Sequence, residues 1–125
     1  MRLSFAVTVM ATVSLLLTSA QAQRATEVLI PIGQSPGVSG ISSVIGTIAS
    51  CDQRGGAVTI STEREQHMAT LSTETKIYLD RSAAKKSGTV GSRSDCQKGR
   101  RGEVKFVYEG GTRTARVEWI KIQAE

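Results

Sequence analysis

The chain has 125 residues, with 16 Lys and Arg against 11 Asp and Glu, two Cys, one His and five aromatic side chains. That length is one domain's worth, and two thiols with one imidazole fall short of the four ligands of a structural zinc site. No His-Glu-x-x-His run, Gly-x-Ser-x-Gly elbow or Gly-Lys-Ser/Thr phosphate loop occurs, which removes the common motif-based enzyme classes.

Arg2 precedes an apolar stretch that runs to Leu17, and Thr18-Ser19-Ala20-Gln21-Ala22 follows. Ala20-Gln21-Ala22 has the small-x-small form that signal peptidase requires. Residues 1–22 are therefore expected to be a secretory signal peptide, cut between Ala22 and Gln23, with a periplasmic or secreted product. The apolar run is shorter than the roughly 20 residues of a spanning helix. No Cys stands beside the cleavage site, and a lone Arg gives no twin-arginine signal. Loss of Arg2 leaves 15 basic against 11 acidic side chains, a net charge near +4. No transmembrane segment is expected after cleavage.

Residues 23–40 read as an arm and linker. Glu27-Val28-Leu29-Ile30-Pro31-Ile32 is apolar, but its proline limits it to an edge strand or extended arm. Gly33 to Gly40 has the composition of a flexible connector. The domain is expected over residues 41–125.

From Ile41 onward the strand signals are regular. Residues 43–51 and 57–62 flank a Gly55-Gly56 turn and read as a hairpin. Met68–Ser72 and Thr75–Asp80 form a third extended stretch, bent near Thr73-Glu74. Arg81–Gln97 is polar and shows no helical stripe. In Gly102–Glu109, Val104, Phe106 and Tyr108 share one face. In Thr112–Trp119, Ala115, Val117 and Trp119 do. Ile120 and Ile122 fall on the opposite parity, which calls for a bulge or a strand end buried on both sides. The expected core is Ile45, Ile48, Val58, Ile60, Leu71, Ile77, Leu79, Val104, Phe106, Val117 and Ile120. Hairpin, third strand, long connection and hairpin is the order of an all-β, five-stranded OB-like Greek-key barrel.

Val44-Ile45-Gly46-Thr47-Ile48-Ala49, Val58-Thr59-Ile60, Thr75-Lys76-Ile77, Asp95-Cys96-Gln97-Lys98-Gly99-Arg100 with Val104, and Ala115-Arg116-Val117 with Ile120 carry a resemblance. Over Ile41 to Gln123 the chain is similar to small exported bacterial OB-like domains of unknown function. It departs from them at Arg100, where their turn carries a second Asp, and in the long insertion between Asp80 and Asp95. The Cys pair is not part of the general pattern. The resemblance implies the fold and brings no activity.

Cys51 and Cys96 are expected to form a disulfide, the default for a pair of cysteines in an exported domain. The loop it closes, about 45 residues, corresponds to roughly 4 kcal/mol in the chain-entropy model.

Charge is uneven. Residues 23–80 hold four basic and six acidic side chains, and residues 81–121 hold eleven and four. Lys85, Lys86, Arg93, Lys98, Arg100 and Arg101 are the candidate anion-binding surface; a solvated face is the plain alternative. His67 reads as a lone surface imidazole, and Glu63 and Glu65 as a solvated pair around Arg64. No cofactor and no catalysis is expected. Scarce aromatics and export both argue against nucleic acid, which needs stacking platforms. The expected partner of a non-catalytic envelope binding module is an anionic polymer, a lipid headgroup or an acidic protein. The alternative is an inhibitor or accessory subunit of an exported enzyme, with Arg81–Gln97 inserting into its partner.

Overall fold

The computed structural model describes residues 26–54, 56–108 and 115–125. The expected signal peptide lies outside the described residues. The fold is all-β, with seven strands in one sheet: β1 (Ser43–Cys51), β2 (Ala57–Ser61), β3 (Gln66–Thr70), β4 (Lys76–Asp80), β5 (Thr89–Val90), β6 (Arg101–Tyr108) and β7 (Ala115–Gln123). The spatial order is β3-β2-β1-β6-β7-β4-β5. Thr70 of β3 also pairs in parallel with Arg116 of β7, so the order β3-β2-β1-β6-β7 returns to its first strand.

Local chemistry sets the turns. Asp52 Oδ1 accepts the Arg54 N–H at 2.9 Å, an Asx turn that reverses β1 into β2. Gly56 is needed there, because a Cβ would stand 2.2 Å from Asp52 Oδ2. Thr62 turns β2 into β3 by accepting the N–H groups of Arg64 and Glu65 on its hydroxyl. The third expected stretch is two strands. Its bend is a Ser72–Thr75 turn, in which Thr75 N–H donates to Ser72 O, and Thr75 Oγ1 donates to Val117 O at 2.7 Å. Past that bend the chain changes partner, from β2 on the β3 side to β7 on the β4 side. The polar connection adds the short β5 and two 3-10 turns, Ser82–Ala84 and Arg93–Asp95. Seven strands rather than five result from that bend and from β5.

The inner face of the sheet holds the core: Ile48, Val58, Ile60, Ala69, Leu71, Ile77, Val104, Ala115, Val117, Ile120 and Ile122, with Cys96. Each fully buried aliphatic side chain contributes about 1.5–3 kcal/mol of transfer free energy. Leu79 and Phe106 pack against this core but are half-buried. Ile45 is not in it. It pairs with Glu103 on the outer face, and its Cδ1 lies 3.6 Å from where a Cβ on Gly33 would be. Tyr108 is 69% exposed, at the end of β6 beyond the core. The parity break in β7 is a bulge: Lys105 pairs with Trp119 and Phe106 with Val117. It leaves Glu118 unmatched, and Val117 and Ile120 both point inward.

The same strand is also buried on its outer side, because residues 27–42 lie across β6 and β7. This segment is a 3-10 turn at Glu27–Leu29 and then a loop, not a strand. Residues 33–40 are not a free connector, since hydrogen bonds fasten them. Lys121 is 1% exposed, and its Nζ donates to Glu27 Oε1 (2.6 Å), Ile30 O (2.8 Å) and Ser35 Oγ (2.8 Å). Glu103, fully buried, accepts from Gly33 N–H (2.8 Å), Ser39 Oγ (2.6 Å) and Ser43 Oγ (2.6 Å). Asp80 accepts from Ile32 N–H at 2.9 Å and from Ser82 N–H at 2.8 Å.

Candidate functional site

Cys51 and Cys96 form the expected disulfide, with their Cα atoms 5.9 Å apart. It fastens the end of β1 to the residue after the Arg93–Asp95 turn. Ser92 and Asp95 shape that turn as a capping box, with Asp95 Oδ2 accepting the Ser92 N–H at 2.8 Å. Gly91 N–H donates to Ile77 O at 2.8 Å and ties the same segment to β4. The β1–β2 turn and residues 91–96 are thereby held side by side, and Gln53 Nε2 approaches Ser94 O at 3.5 Å.

Between these two loops and the Ser72–Thr75 bend lies a groove of about 530 Å³. Arg54 enters from the β1–β2 turn, Lys76 from the start of β4 and Arg93 from the disulfide-linked turn. Hydroxyls of Ser72, Thr73, Thr75 and Ser92 and the Gln53 amide complete its polar lining, with Ile77 and Val90 as apolar wall. Among the described residues, no Asp or Glu lines it. Arg54 and Lys76 are exposed, while Arg93 is half-buried. Arg93 Nη2 donates to Ser72 O at 2.8 Å, which fixes the plane of the guanidinium. Its Nη1 is buried and has no hydrogen-bond partner among the described residues. Three cations line one concave surface, with the Asp95 carboxylate behind Ser92 as the nearby acid, and the surplus of positive charge favours anions.

A second depression, about 820 Å³, includes Arg101, Arg64 and Glu63 in its lining. Its charge is mixed, so its field is weaker than that of the first groove.

The six basic residues singled out in the sequence are not gathered into one depression. Arg93 lines the first groove and Arg101 the second. Lys85 and Lys86 are exposed after the Ser82–Ala84 turn and line neither. Lys98 is exposed on the turn before β6. Arg100 is mostly covered, and its Nη2 lies 3.3 Å from Glu125 Oε1. Arg54 and Lys76 were missed, because both lie in the acidic half of the chain. The signal was in the cysteines: Arg54 stands three residues after Cys51, and Arg93 three before Cys96. One disulfide sets both on the same groove.

His67 is on β3 rather than in a loop. Its register opposite Ile60 turns it inward, with its ring centroid 6.2 Å from that of Phe106 and Nε2 3.4 Å from Glu65 Oε2. Glu63 lines the second depression, apart from that contact. Among the described residues, no group of three or more His, Cys, Asp or Glu side chains is placed to hold a metal ion. Nor is any helix there long and apolar enough to cross a membrane. No family model, curated protein or solved structure matches the chain.

Proposed function

We propose that this chain is an exported, disulfide-bonded binding module of the cell envelope that takes an anionic partner in the groove of Arg54, Lys76 and Arg93. The observation that carries the reading is the composition of that groove: three cationic side chains and, among the described residues, no carboxylate in its lining. Export is read from the leader-like first 22 residues, and the Cys51–Cys96 bond fits an oxidising compartment. The reading of the domain as an OB-like barrel treats β3 and β4 as one bent strand and sets β5 aside. Five strands then remain, and the pairings that close β3 and β4 onto β7 support it. In barrels of that kind ligands meet the loop between the first two strands, and Arg54 stands on the corresponding loop here.

The reading is tested by retention of the mature protein on an anionic matrix and on envelope fractions across a salt series. Charged contacts near a surface are screened within about 8 Å at physiological salt, so retention should fall steeply as salt rises. Arg54→Glu with Lys76→Glu should lower it more than Lys85→Glu with Lys86→Glu. Equal retention of the two double variants would remove the groove from the function.

A further inference from the structure

We infer that Lys85-Lys86 is a processing site. An endoprotease whose acidic primary pocket takes lysine cuts there, and the Cys51–Cys96 bond keeps the product together as a two-chain protein. The inference is independent of the groove and of its partner.

Exposure and hydrogen bonding single out this loop. Residues 82–87 are all exposed, the longest such run among the described residues. An endoprotease binds several residues in extended form, so the segment must first leave its folded conformation. Little holds this one. Its backbone bonds are local: Ala84 N–H donates to Arg81 O at 3.0 Å, Lys85 N–H to Ser82 O at 2.9 Å and Lys86 N–H to Arg81 O at 3.2 Å. Arg81 Nε closes the loop by donating to Ser87 O at 2.7 Å. None of these is a sheet bond. Lys85 has φ of 58°, a left-handed conformation that a Cβ disfavours, and extension relieves it. Both ends of the loop are anchored. Asp80 is the last residue of β4, and its carboxylate accepts the Ser82 and Ile32 N–H groups. Gly88 packs so closely on the arm that a Cβ would stand 2.1 Å from Val28 O. Opening therefore stays within the loop.

The other lysines of the chain are Lys76, Lys98, Lys105 and Lys121. Lys76, Lys105 and Lys121 lie within β4, β6 and β7, where a cut requires the ladder to open. Lys98 is exposed, but it stands between buried Cys96 and Gly99, whose N–H donates to Ile48 O at 2.8 Å.

The place of the loop in the sheet decides what a cut produces. Water adds across the C–N bond after Lys85 or Lys86, leaving a carboxylate on one side and an α-ammonium on the other. The first piece keeps β1 to β4 and the second keeps β5 to β7. In the order β3-β2-β1-β6-β7-β4-β5, two strands of the second piece stand between β1 and β4 of the first. The pieces are thus interleaved through the β1–β6 and β4–β7 ladders. Cys51 belongs to the first piece and Cys96 to the second, so the disulfide becomes their one covalent link. Reduction of the cut form then makes its folding depend on protein concentration, as for any dimer.

The test uses the mature, oxidised protein and a lysine-specific endoprotease under native conditions, read by intact mass and by gels with and without reductant. One cut is expected, after Lys85 or Lys86. The product should gain the mass of one water, keep native circular dichroism and run as one species until reductant separates two pieces. Lys85→Gln with Lys86→Gln, at exposed positions, should slow the first cut at least about tenfold, since every other lysine needs several hydrogen bonds broken first. Processing itself is read on the same gels from the envelope fraction of cells that express the protein, with thiols blocked at lysis. Cellular protein cut after Lys85 or Lys86, one band unreduced and two bands reduced, would support the inference. A first cut at Lys76, Lys98, Lys105 or Lys121, or an equal rate in the double variant, would overturn the site. Uncut cellular protein, beside purified protein that is readily cut, would overturn processing and leave only a susceptible loop.

Discussion

Glu103 and Lys121 stand opposite each other on β6 and β7, both sealed from water, and the same arm satisfies both. Lys121 takes Glu27, Ser35 and the Ile30 carbonyl; Glu103 takes Ser39, Ser43 and the Gly33 amide. Removing Lys121 leaves its ion partner Glu27 uncompensated, and removing Glu103 leaves the Gly33, Ser39 and Ser43 donors without their acceptor, each at a cost of about 3–5 kcal/mol. Lys121→Ala and Glu103→Ala should each lose that much in urea unfolding. The double variant should lose less than their sum, because once the arm lifts away there is less left for the second change to break. A loss below about 1 kcal/mol in either single variant would mean the arm does not need its charges.

Asp80 predicts how acid affects the same strap. Burial alone would push its carboxyl up. The hydrogen bonds from Ser82 and Ile32, with the Arg101 charge, outweigh that and hold it below its ordinary value. A carboxyl depressed in the folded state adds stability that is fully present above its unfolded pKa of about 3.9. That stability is lost as pH falls through the folded value. Asp80→Asn should therefore be less stable than wild type at pH 7, and the gap should narrow as pH falls from about 4 towards 2. A gap that stays constant over that interval would show that the amide fails for reasons other than charge.

Lys85 ends the Ser82–Ala84 turn with φ of 58°, in the left-handed region, and is the one described non-glycine residue there. Its backbone N–H donates to Ser82 O at 2.9 Å, and its side chain is exposed. The position is therefore a C-cap, where glycine avoids the Cβ penalty. Lys85→Gly should raise stability by about 0.5–1 kcal/mol, read as a shift in the denaturation midpoint at unchanged slope. Anion retention should not change, since Lys85 lies outside the groove.

Alternation made the inner face of this sheet legible. Ile48, Val58, Ile60, Val104, Val117 and Ile120 were placed by parity and are buried. Parity failed where another element covers the second face. Ile45 reads as core because it is β-branched in a strand, yet it points towards the arm. Glu103 and Lys121 are covered by the arm, and a strand's pattern carries no notice of a strap arriving from 60 or more residues away. Phe106 was placed on the correct face, but it lies at the open end of the core beside His67. Phe106→Ala should accordingly cost about 1.5–3 kcal/mol, less than the 3–5 of a fully enclosed aromatic, whereas Ile120→Ala should cost about 2–5. A larger loss at Phe106 than at Ile120 would reverse that order. The groove escaped a linear scan because its cations come from three separate segments, brought together by one bond and one bend.

That bond makes the last prediction. Cys51 is followed by the turn that carries Arg54, and Cys96 closes the turn that carries Arg93. Cutting the link should have two separable effects. The first is global: a loop of 45 residues is released, worth roughly 4 kcal/mol in the chain-entropy model. The second is local. β1 stays paired with β2 and β6, but the 91–96 segment then relies on Gly91 N–H to Ile77 O and on the Arg93 contact with Ser72 to hold its place. Freed from Cys51, it should sample positions in which Arg93 and Arg54 no longer share a wall. Cys51→Ser with Cys96→Ser should thus unfold at lower denaturant. Under conditions where it is still folded, with native circular dichroism, it should bind anions at least about threefold more weakly, as expected when a preorganised site is loosened. Wild type treated with reductant should behave like the double variant, and reoxidation should restore it. Full anion affinity in the folded double variant would show that β4 alone positions Arg93, and that the disulfide serves stability only.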